Sequence, residues 1–312
     1  MTSTLHQIRV ALVGLGKIAR DQHVPALAAD KSFQLIGVAS RHHALDGVPS
    51  FPTLEALLQA VPSVDAVSVC TPPQVRYDIA RAALNHGCHV MLEKPPGATL
   101  GEVQALVDLA NRKGVSLHAT WHSREAAAVE AARQWLLNRK IRSVVVTWKE
   151  DVRHWHPGQT WIWEAGGLGV FDPGINALSI VTRILPTAVV LKEAVLCFPS
   201  NQQTPIAASL SLGDETGAPI SVELDFRQTG PQSWDIDVET DSGRLTLSKG
   251  GNVMTVDGKP LVQSPDREYP NLYAHFATLV RDKRSDVDIA PLRLVADAFL
   301  CGKRVQVEPF VE

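Results

Sequence analysis

The chain has 312 residues, of which 45% are hydrophobic and 20% charged, a composition typical of a globular protein with room for two hydrophobic cores. Its formal net charge of -3, without a basic block, excludes the electrostatic signature of nucleic-acid binding or of binding to an acidic membrane surface. We therefore expect a small-molecule partner, with no nucleic acid and no membrane.

Cysteine usage and apolar runs bear on where the protein resides. The four cysteines are scattered, without a Cys-x-x-Cys pair, and residues 1–6 (Met-Thr-Ser-Thr-Leu-His) contain no apolar signal core. No run approaches the roughly 20 apolar residues that a membrane helix needs. These observations predict a soluble, cytoplasmic protein.

Alternating short strands and helices from Arg9 onward predict a parallel sheet covered by helices on both faces. After residue 123 the pattern changes to strand-like runs bounded by Gly, Pro, Asp and Ser, with helices over residues 124–138, 173–185 and near the end. We predict an α/β protein: an N-terminal domain (residues 1–123) built on a doubly wound parallel sheet, and a C-terminal α+β domain (residues 124–312). The second domain should bind substrate on a large, mostly antiparallel open sheet, whose exposed face could pair subunits in a homo-oligomer.

The first predicted strand, residues 8–13, leads into a glycine-rich turn, Gly14-x-Gly16-x-x-Ala19. The first glycine allows the turn, the second lets the backbone approach a pyrophosphate, and the small Ala19 permits close packing of helix on strand. Lys17 and Ile18 lie inside this turn. The motif predicts a dinucleotide site and hence an NAD(P)-binding Rossmann domain over residues 1–123. The alternative is a purely structural turn.

The second predicted strand, residues 33–39, ends at Ser40, Arg41 and His42. A NAD site would place an acidic residue here to bind the adenosine ribose, whereas the Arg41 guanidinium could bind a 2′-phosphate. We therefore expect NADP to be preferred and NAD to be accepted. The alternative is that these are merely polar residues leaving a strand.

Lys94 follows a buried strand at residues 88–92 and precedes Pro95 and Pro96, through which neither strand nor helix can continue. It is therefore expected at the carboxyl edge of the sheet, where ligands bind in open α/β folds, as a proton donor or electrostatic clamp. The alternative is a solvated loop lysine in a salt bridge. The residues predicted to contact the cofactor are Gly14, Gly16, Lys17, Ile18, Ser40, Arg41, His42, Cys70, Thr71, Pro72, Pro73, Glu93 and Lys94.

Residues 149–167 combine carboxylates and imidazoles with three of the seven tryptophans. Flat aromatic faces beside hydrogen-bonding groups suit a sugar ring, although tryptophan clusters also occur in cores and interfaces. His154 and His156 lack a convincing third ligand, so no metal is predicted. Further on, Asp172 and Asn176 are four residues apart and would share a helix face, unless Asp172 is only an N-cap before proline.

These motifs together resemble the Gfo/Idh/MocA family, named for glucose-fructose oxidoreductase, inositol dehydrogenase and rhizopine catabolism. The markers are the glycine turn, Thr71-Pro72, Glu93-Lys94-Pro95 and Asp172-x-Gly174-x-Asn176, and the likeness covers essentially the whole chain. Residues 14–23 and 155–159 are similar to the sugar 1-dehydrogenases for L-arabinose and D-galactose. The chain departs from most of the family at Asn176 and Arg76, where histidine is usual.

The resemblance implies catalytic roles for Lys94, Asp172 and Asn176. It implies that the sugar pocket is lined by His122, Glu150, His156, Asp172 and Asn176, and the tryptophan-rich stretch adds Trp155 to the predicted sugar-binding residues. The expected reaction is oxidation of an aldopyranose, L-arabinose or D-galactose, at C1 to the lactone, with hydride passing to nicotinamide C4. Since Asn cannot take a proton at neutral pH, Lys94 and Asp172 are expected to handle the proton of the C1 hydroxyl. The alternatives are a non-catalytic NADP sensor, or a sugar oxidoreductase or redox glycosidase that keeps its cofactor tightly bound.

Overall fold

A computed structural model describes residues 6–311, which divide into two compact units. The first comprises the chain up to Trp121 together with Tyr269–Asp288, and the second comprises His122–Glu268 together with the chain from Ile289 onward. The single boundary predicted after residue 123 therefore misses the return of Tyr269–Asp288 to the first unit. Residues 1–5, where no signal core was predicted, lie outside the described residues, as does Glu312.

The described residues form fifteen strands in two sheets. The strands are β1 Ile8–Val13, β2 Phe33–Ala39, β3 Ser50–Phe51, β4 Ala66–Val69, β5 His89–Leu92, β6 Leu117–Ala119, β7 Ile141–Lys149, β8 Val190–Pro199, β9 Ala207–Gly213, β10 Pro219–Asp225, β11 Ser233–Thr240, β12 Gly243–Ser248, β13 Val253–Val256, β14 Lys259–Gln263 and β15 Lys303–Val307.

Nine α-helices occur in the same part of the chain, with shorter helical turns between them. The α-helices are α1 Val24–Ala29, α2 Leu54–Ala60, α3 Pro73–Asn85, α4 Leu100–Lys113, α5 Val129–Leu136, α6 Val152–Trp155, α7 Phe171–Ile184, α8 Glu268–Asp282 and α9 Ala290–Cys301. A π-helix, Ala19–His23, leads directly into α1, and 3-10 turns occur at His122–Glu125, Thr160–Trp163 and Lys249–Gly251. None of the helices in residues 6–311 is both long and apolar enough to span a bilayer.

The sheet of the first unit has six strands in the order β3-β2-β1-β4-β5-β6, and every neighbouring pair is parallel. Alternate residues of β1 enter two separate cores: Leu12 packs in one with Tyr273 of α8, and Val13 packs in the other with Leu57 of α2 and Leu106 of α4. Both faces of the sheet are therefore covered, and the predicted doubly wound Rossmann architecture is confirmed.

The chain segment that follows α8 extends the free edge of this sheet. The backbone N–H of Asp286 donates to Leu117 O at 2.9 Å, and the N–H of Ala119 donates to Asp286 O at 3.0 Å. Trp121 Nε1 donates to Asp288 O at 2.8 Å. These bonds satisfy backbone groups at the edge of β6, which is why Tyr269–Asp288 belongs to the first unit.

The second unit contains a nine-stranded sheet in the order β14-β13-β12-β11-β7-β10-β9-β8-β15. Most pairs are antiparallel, whereas β10 with β7 and β15 with β8 are parallel, so the predicted, mostly antiparallel sheet is confirmed. Along β10, exposed and buried side chains alternate, because one face of the sheet packs on a core that includes α7. The helix predicted over residues 124–138 is instead a 3-10 turn followed by α5.

Candidate active site

Two glycines of the first turn have different reasons to be glycine. Gly14 has φ +90°, and a Cβ built there would lie 2.9 Å from Thr71 Cγ2 and 3.0 Å from Thr71 N, so the fold itself excludes a side chain. A Cβ on Gly16 would meet no atom within 4 Å, and Gly16 is exposed. The missing side chain at Gly16 therefore leaves open space beside the start of the helix, where a pyrophosphate would be received.

The turn after β4 lies beside this glycine turn, because Cys70 N donates to Val13 O at 2.8 Å. Thr71 Oγ1 is buried and has no hydrogen-bond partner among the described residues, as expected of a hydroxyl that awaits a ligand. Pro72 caps α3, and Pro73 is its first residue, a position that does not need a backbone N–H. Together with the open space at Gly16, this orphaned hydroxyl fits a bound dinucleotide.

The remaining predicted cofactor contacts follow β1 and β2 at the same edge of the sheet. Ser40 is fixed by its N–H, which donates to Phe51 O at 2.9 Å, while Arg41 and His42 are exposed. Lys17 is exposed and paired with Asp21 one helical turn later, and Ile18 is exposed beside it. These positions leave the Arg41 guanidinium on the surface at the end of β2, where an adenosine ribose is bound in this fold.

Lys94 lies just beyond β5 and is half-buried. Its backbone N–H donates to Glu93 Oε2 at 2.9 Å, and the N–H of Glu93 donates to Val69 O at 3.1 Å. Lys94 therefore lies at the carboxyl edge of the sheet, as its position in the sequence predicts. Its catalytic role stays a prediction.

Glu93 is only 3% exposed and belongs to a buried polar network. Its Oε1 lies 2.9 Å from His23 Nε2 and accepts a hydrogen bond from the Tyr269 hydroxyl at 2.7 Å. His23 Nδ1 in turn lies 2.7 Å from the Tyr273 hydroxyl. The sequence suggested a cofactor contact for Glu93, and the structure adds a second role: this carboxylate connects the π-helix and α8 to the loop that carries Lys94.

The buried imidazole of His23 is held among several polar groups. Burial opposes its charged form, but Cys70, Tyr273 and the hydrogen bond to Glu93 outweigh burial and raise the pKa of His23 well above its ordinary value. Burial also raises the pKa of the Tyr273 hydroxyl. The network thus places a hydrogen-bonded imidazole against the Glu93 carboxylate.

Arg76 is a site residue whose role the sequence did not reveal. It is buried on α3, and its guanidinium donates to three carbonyl oxygens, those of Thr71, Glu93 and Pro95. Two of these carbonyls flank Lys94, and the third belongs to the turn after β4. Arg76 therefore ties the two loops together, a task suited to the rigid fork of five guanidinium donors. The only signal in the sequence was that arginine stands where histidine is usual.

A cluster of predicted sugar-binding residues occurs within the second unit. His156 Nε2 lies 3.2 Å from Glu150 Oε1, and His156 Nδ1 lies 3.8 Å from Asp172 Oδ2. Trp234 Nε1 donates to the other oxygen of Glu150 at 2.9 Å. Glu150 and Asp172 are both buried, so one imidazole stands between two desolvated carboxylates. Such a group can accept, donate and pass protons to a hydroxylated ligand.

Asp172 and Asn176 both lie on α7, as predicted, but the N-cap alternative for Asp172 is wrong. The helix begins at Phe171, its N-cap is Val170, and no side chain caps it. At about 100° per residue, Gly174 lies on the opposite face, where a Cβ would stand 2.5 Å from Leu224 Cδ1 of β10. The glycine of this motif therefore allows α7 to pack closely on the sheet and turns Asp172 and Asn176 away from Leu224.

The tryptophan-rich stretch separates into buried and exposed members. Trp163 is buried against Phe226, so the core alternative holds for this residue. Trp155 is 40% exposed and packs edge-on against Trp234, with ring centroids 5.2 Å apart. Trp234 was not among the predicted site residues, because it lies far along the chain. Trp155 is thus exposed enough to offer an aromatic surface to a ligand, and Trp161 is half-buried.

The last predicted sugar-binding residue, His122, lies in a 3-10 turn of the second unit. Its Nδ1 forms a short contact with the Glu268 carboxylate, and both side chains are largely buried. A histidine and carboxylate pair can position a ring nitrogen for a ligand, or it can serve only to hold the turn. Its role in binding sugar stays a prediction.

Comparison with known proteins identifies the family. A family model described as an oxidoreductase family with an NAD-binding Rossmann fold matches residues 8–120. Galactose 1-dehydrogenase from Pseudomonas fluorescens is 46% identical over 308 residues, which cover 99% of this chain and 100% of that protein. The chain belongs to the Gfo/Idh/MocA oxidoreductase family.

Solved structures agree with this family assignment. The crystal structure of a D-galactose-1-dehydrogenase protein from Rhizobium etli is 56% identical, has a TM-score of 0.96 and is matched over 100% of both chains. The 3-ketoreductase KijD10 from Actinomadura kijaniata, in complex with NADP and TDP-benzene, has a TM-score of 0.84 over 97% of this chain and 100% of that one. At 18% identity, KijD10 shows the shared fold alone. The Gfo/Idh/MocA chain described here is thus an oxidoreductase with an NAD(P)-binding Rossmann fold.

The open space at Gly16 predicts a variant that loses cofactor and keeps its fold. Gly16→Ala should leave the thermal unfolding midpoint unchanged, because the new methyl group meets no protein atom, and should raise the cofactor Kd about tenfold or more by occupying the pyrophosphate space. Fluorescence titration with NADP measures this. Gly101→Ala on the surface of α4 is the matched control, and equal cofactor affinity in both variants would count against a pyrophosphate at Gly16.

The three carbonyl contacts of Arg76 predict that lysine cannot replace it. Arg76→Lys should lower the free energy of unfolding by about 1–3 kcal/mol, because an ammonium cannot reproduce the fork and leaves buried carbonyls unpaired. The turnover number should fall more than the cofactor KM rises, since the loop of Lys94 loses its support. Arg81→Lys on the exposed face of the same helix is the control. Urea unfolding curves that coincide for the two variants would show that Arg76 does not hold these loops.

Proposed function

We propose that this Gfo/Idh/MocA protein oxidises an aldopyranose at C1 to the corresponding lactone, with D-galactose and L-arabinose as substrates. The proposal is carried by full-length similarity to galactose 1-dehydrogenases, at 46% and 56% identity. The grouping of His156 with Glu150, at 3.2 Å, and with Asp172, at 3.8 Å, supports it, because a sugar needs paired donors and acceptors. The two sugars share their ring configuration and differ by one hydroxymethyl group at C5, so activity on both is expected.

The nicotinamide cofactor would be held by the carboxyl edge of the first unit's sheet. The pyrophosphate would lie at Gly14, Gly16, Lys17 and Ile18, and the adenosine ribose at Ser40, Arg41 and His42. Cys70, Thr71, Pro72, Pro73 and Glu93 would line the side nearer the nicotinamide. When bound, the cofactor supplies a nicotinamide C4 atom that accepts hydride from C1 of the sugar. NADP is preferred in this proposal, and NAD is also accepted.

The protein's own groups would bind the sugar and move one proton. Trp155 would stack on a C–H face of the ring, and His122, Glu150 and His156 would bind its hydroxyls. Lys94 would polarise the C1 hydroxyl, and Asp172 would accept its proton, directly or through Lys94. Asn176 would orient the hydroxyl, because an amide cannot act as the base. The contact between His156 and Asp172 favours Asp172 as the base, because the imidazole can hold the Asp172 carboxylate in one orientation toward the sugar.

The proposal also includes the oligomeric state of the protein and its location in the cell. The outward face of the nine-stranded sheet carries exposed Val145, Val190 and Val195, a surface that could pair subunits in a homo-oligomer. The four cysteines are free thiols in the described chain, which supports the proposed cytoplasmic location.

A panel of aldoses assayed with NAD and with NADP tests the function. D-Galactose and L-arabinose should reduce the nicotinamide, and the product should be a lactone, which hydroxylamine traps as the hydroxamate. Tight NADP binding without reduction by any aldose would favour a sensor and contradict the proposal. Stoichiometric cofactor released on denaturation would instead indicate an enzyme that recycles a bound nicotinamide.

Arg41 predicts the choice of cofactor. Arg41→Ala should raise the KM for NADP about tenfold or more and change the KM for NAD little, because only NADP carries the 2′-phosphate that a guanidinium would bind. Steady-state kinetics with a saturating sugar measure both values. Arg112→Ala, an exposed arginine near the end of α4, is the matched control. An unchanged ratio of the two KM values in Arg41→Ala would remove Arg41 from the cofactor site.

A further inference from the structure

Three side chains that could bind a metal ion meet in the first unit, and the proposed reaction uses none of them. They are His118 of β6, His275 of α8 and Asp286 of the segment that extends the sheet edge, and one donor atom from each lies within 4.8 Å of the other two. His275 Nε2 and Asp286 Oδ2 are already 2.8 Å apart. Two imidazoles and a carboxylate form a donor set that suits zinc and similar divalent ions.

The backbone fixes these three positions independently of any metal. His118 and Asp286 pair as parallel neighbours, because the N–H of Asp286 donates to Leu117 O and the N–H of Ala119 donates to Asp286 O. The third residue, His275, is placed by α8: the His118 ring packs on Phe276 of that helix and lies edge-on to the His275 ring, with 5.2 Å between the two imidazole centroids. The sheet and a packed helix therefore fix the backbone of all three residues, so binding of a metal ion requires little further ordering of the chain.

His118 itself is the strongest indication of a ligand. It is 3% exposed, and its Nδ1 is buried with no hydrogen-bond partner among the described residues. A buried polar nitrogen without a partner is costly and rare in native proteins. Burial, only partly offset by Asp286, lowers the pKa of His118 to about 4.

We propose that His118, His275 and Asp286 form a binding site for a zinc-like divalent ion, with a water or an external ligand completing the coordination. Zinc bonds of about 2.0–2.2 Å place tetrahedral ligand atoms about 3.3 Å apart, so the side chains must close slightly from their present spacing. His275 and Asp286 are 41% and 53% exposed and can rotate to do so. The ion would replace the proton that now joins them, and it would fasten α8 and the segment after it to the edge of β6.

Zinc titration of chelator-treated protein tests this site. Competition with a chromophoric zinc indicator at neutral pH should show one equivalent bound by the wild type. His275→Gln and Asp286→Asn should each weaken binding about tenfold or more, because the first replaces an imidazole with a weaker amide ligand and the second removes the carboxylate charge. His86→Gln, an exposed histidine of the same unit, is the matched control and should bind as the wild type does. Zinc should also raise the thermal midpoint of the wild type and of His86→Gln, but not that of His275→Gln.

Both test variants alter exposed side chains, so circular dichroism and the thermal midpoint in chelator should match those of the wild type. A wild type that binds no zinc would overturn the proposal. So would equal zinc affinity in the wild type, His275→Gln and Asp286→Asn, because the ion would then lie elsewhere, for example at the exposed Cys301.

Discussion

A single buried carboxylate, that of Glu93, organises the first unit around the loop that carries Lys94. A carboxylate that is 3% exposed needs hydrogen-bond donors to remain in place. Its donors come from three directions: His23 at the end of the π-helix, Tyr269 on α8 and the backbone N–H of Lys94. The π-helix, the returning helix and the lysine loop therefore share one anchor, and moving any of them would break a hydrogen bond to a buried carboxylate.

Arg76 complements this anchor from the other side of the loop. It binds the carbonyls on both sides of Lys94 and one carbonyl of the turn after β4. The backbone around the lysine is thus held by a buried anion through an N–H and by a buried cation through carbonyls. A reacting group that must meet a substrate within a few tenths of an ångström benefits from such support. The second unit uses the same principle, since His156 and Trp234 hold the Glu150 carboxylate.

The sequence predicted what depends on local pattern, and it missed what depends on distant partners. Strands β1 and β2 were placed to the residue, because apolar runs ending in glycine or polar residues mark them clearly. The sequence also placed Lys94 at a sheet edge and Asp172 on a helix with Asn176. It could not show that α8 returns to the first unit, since the bond from Tyr269 to Glu93 spans 176 positions. Nor could it show the carbonyl contacts of Arg76, because only the fold brings those loops together.

The central claim about the chemistry is that Asp172 acts as the base for the C1 hydroxyl while Asn176 only orients the sugar. The most direct measurement is single-turnover nicotinamide reduction by saturating D-galactose, followed by absorbance, in Asp172→Asn and Asn176→Ala. The account predicts a rate lowered by about 10²–10⁴-fold in Asp172→Asn, because a general base is lost, and a nearly normal rate with weaker sugar binding in Asn176→Ala. A normal single-turnover rate in Asp172→Asn would contradict it.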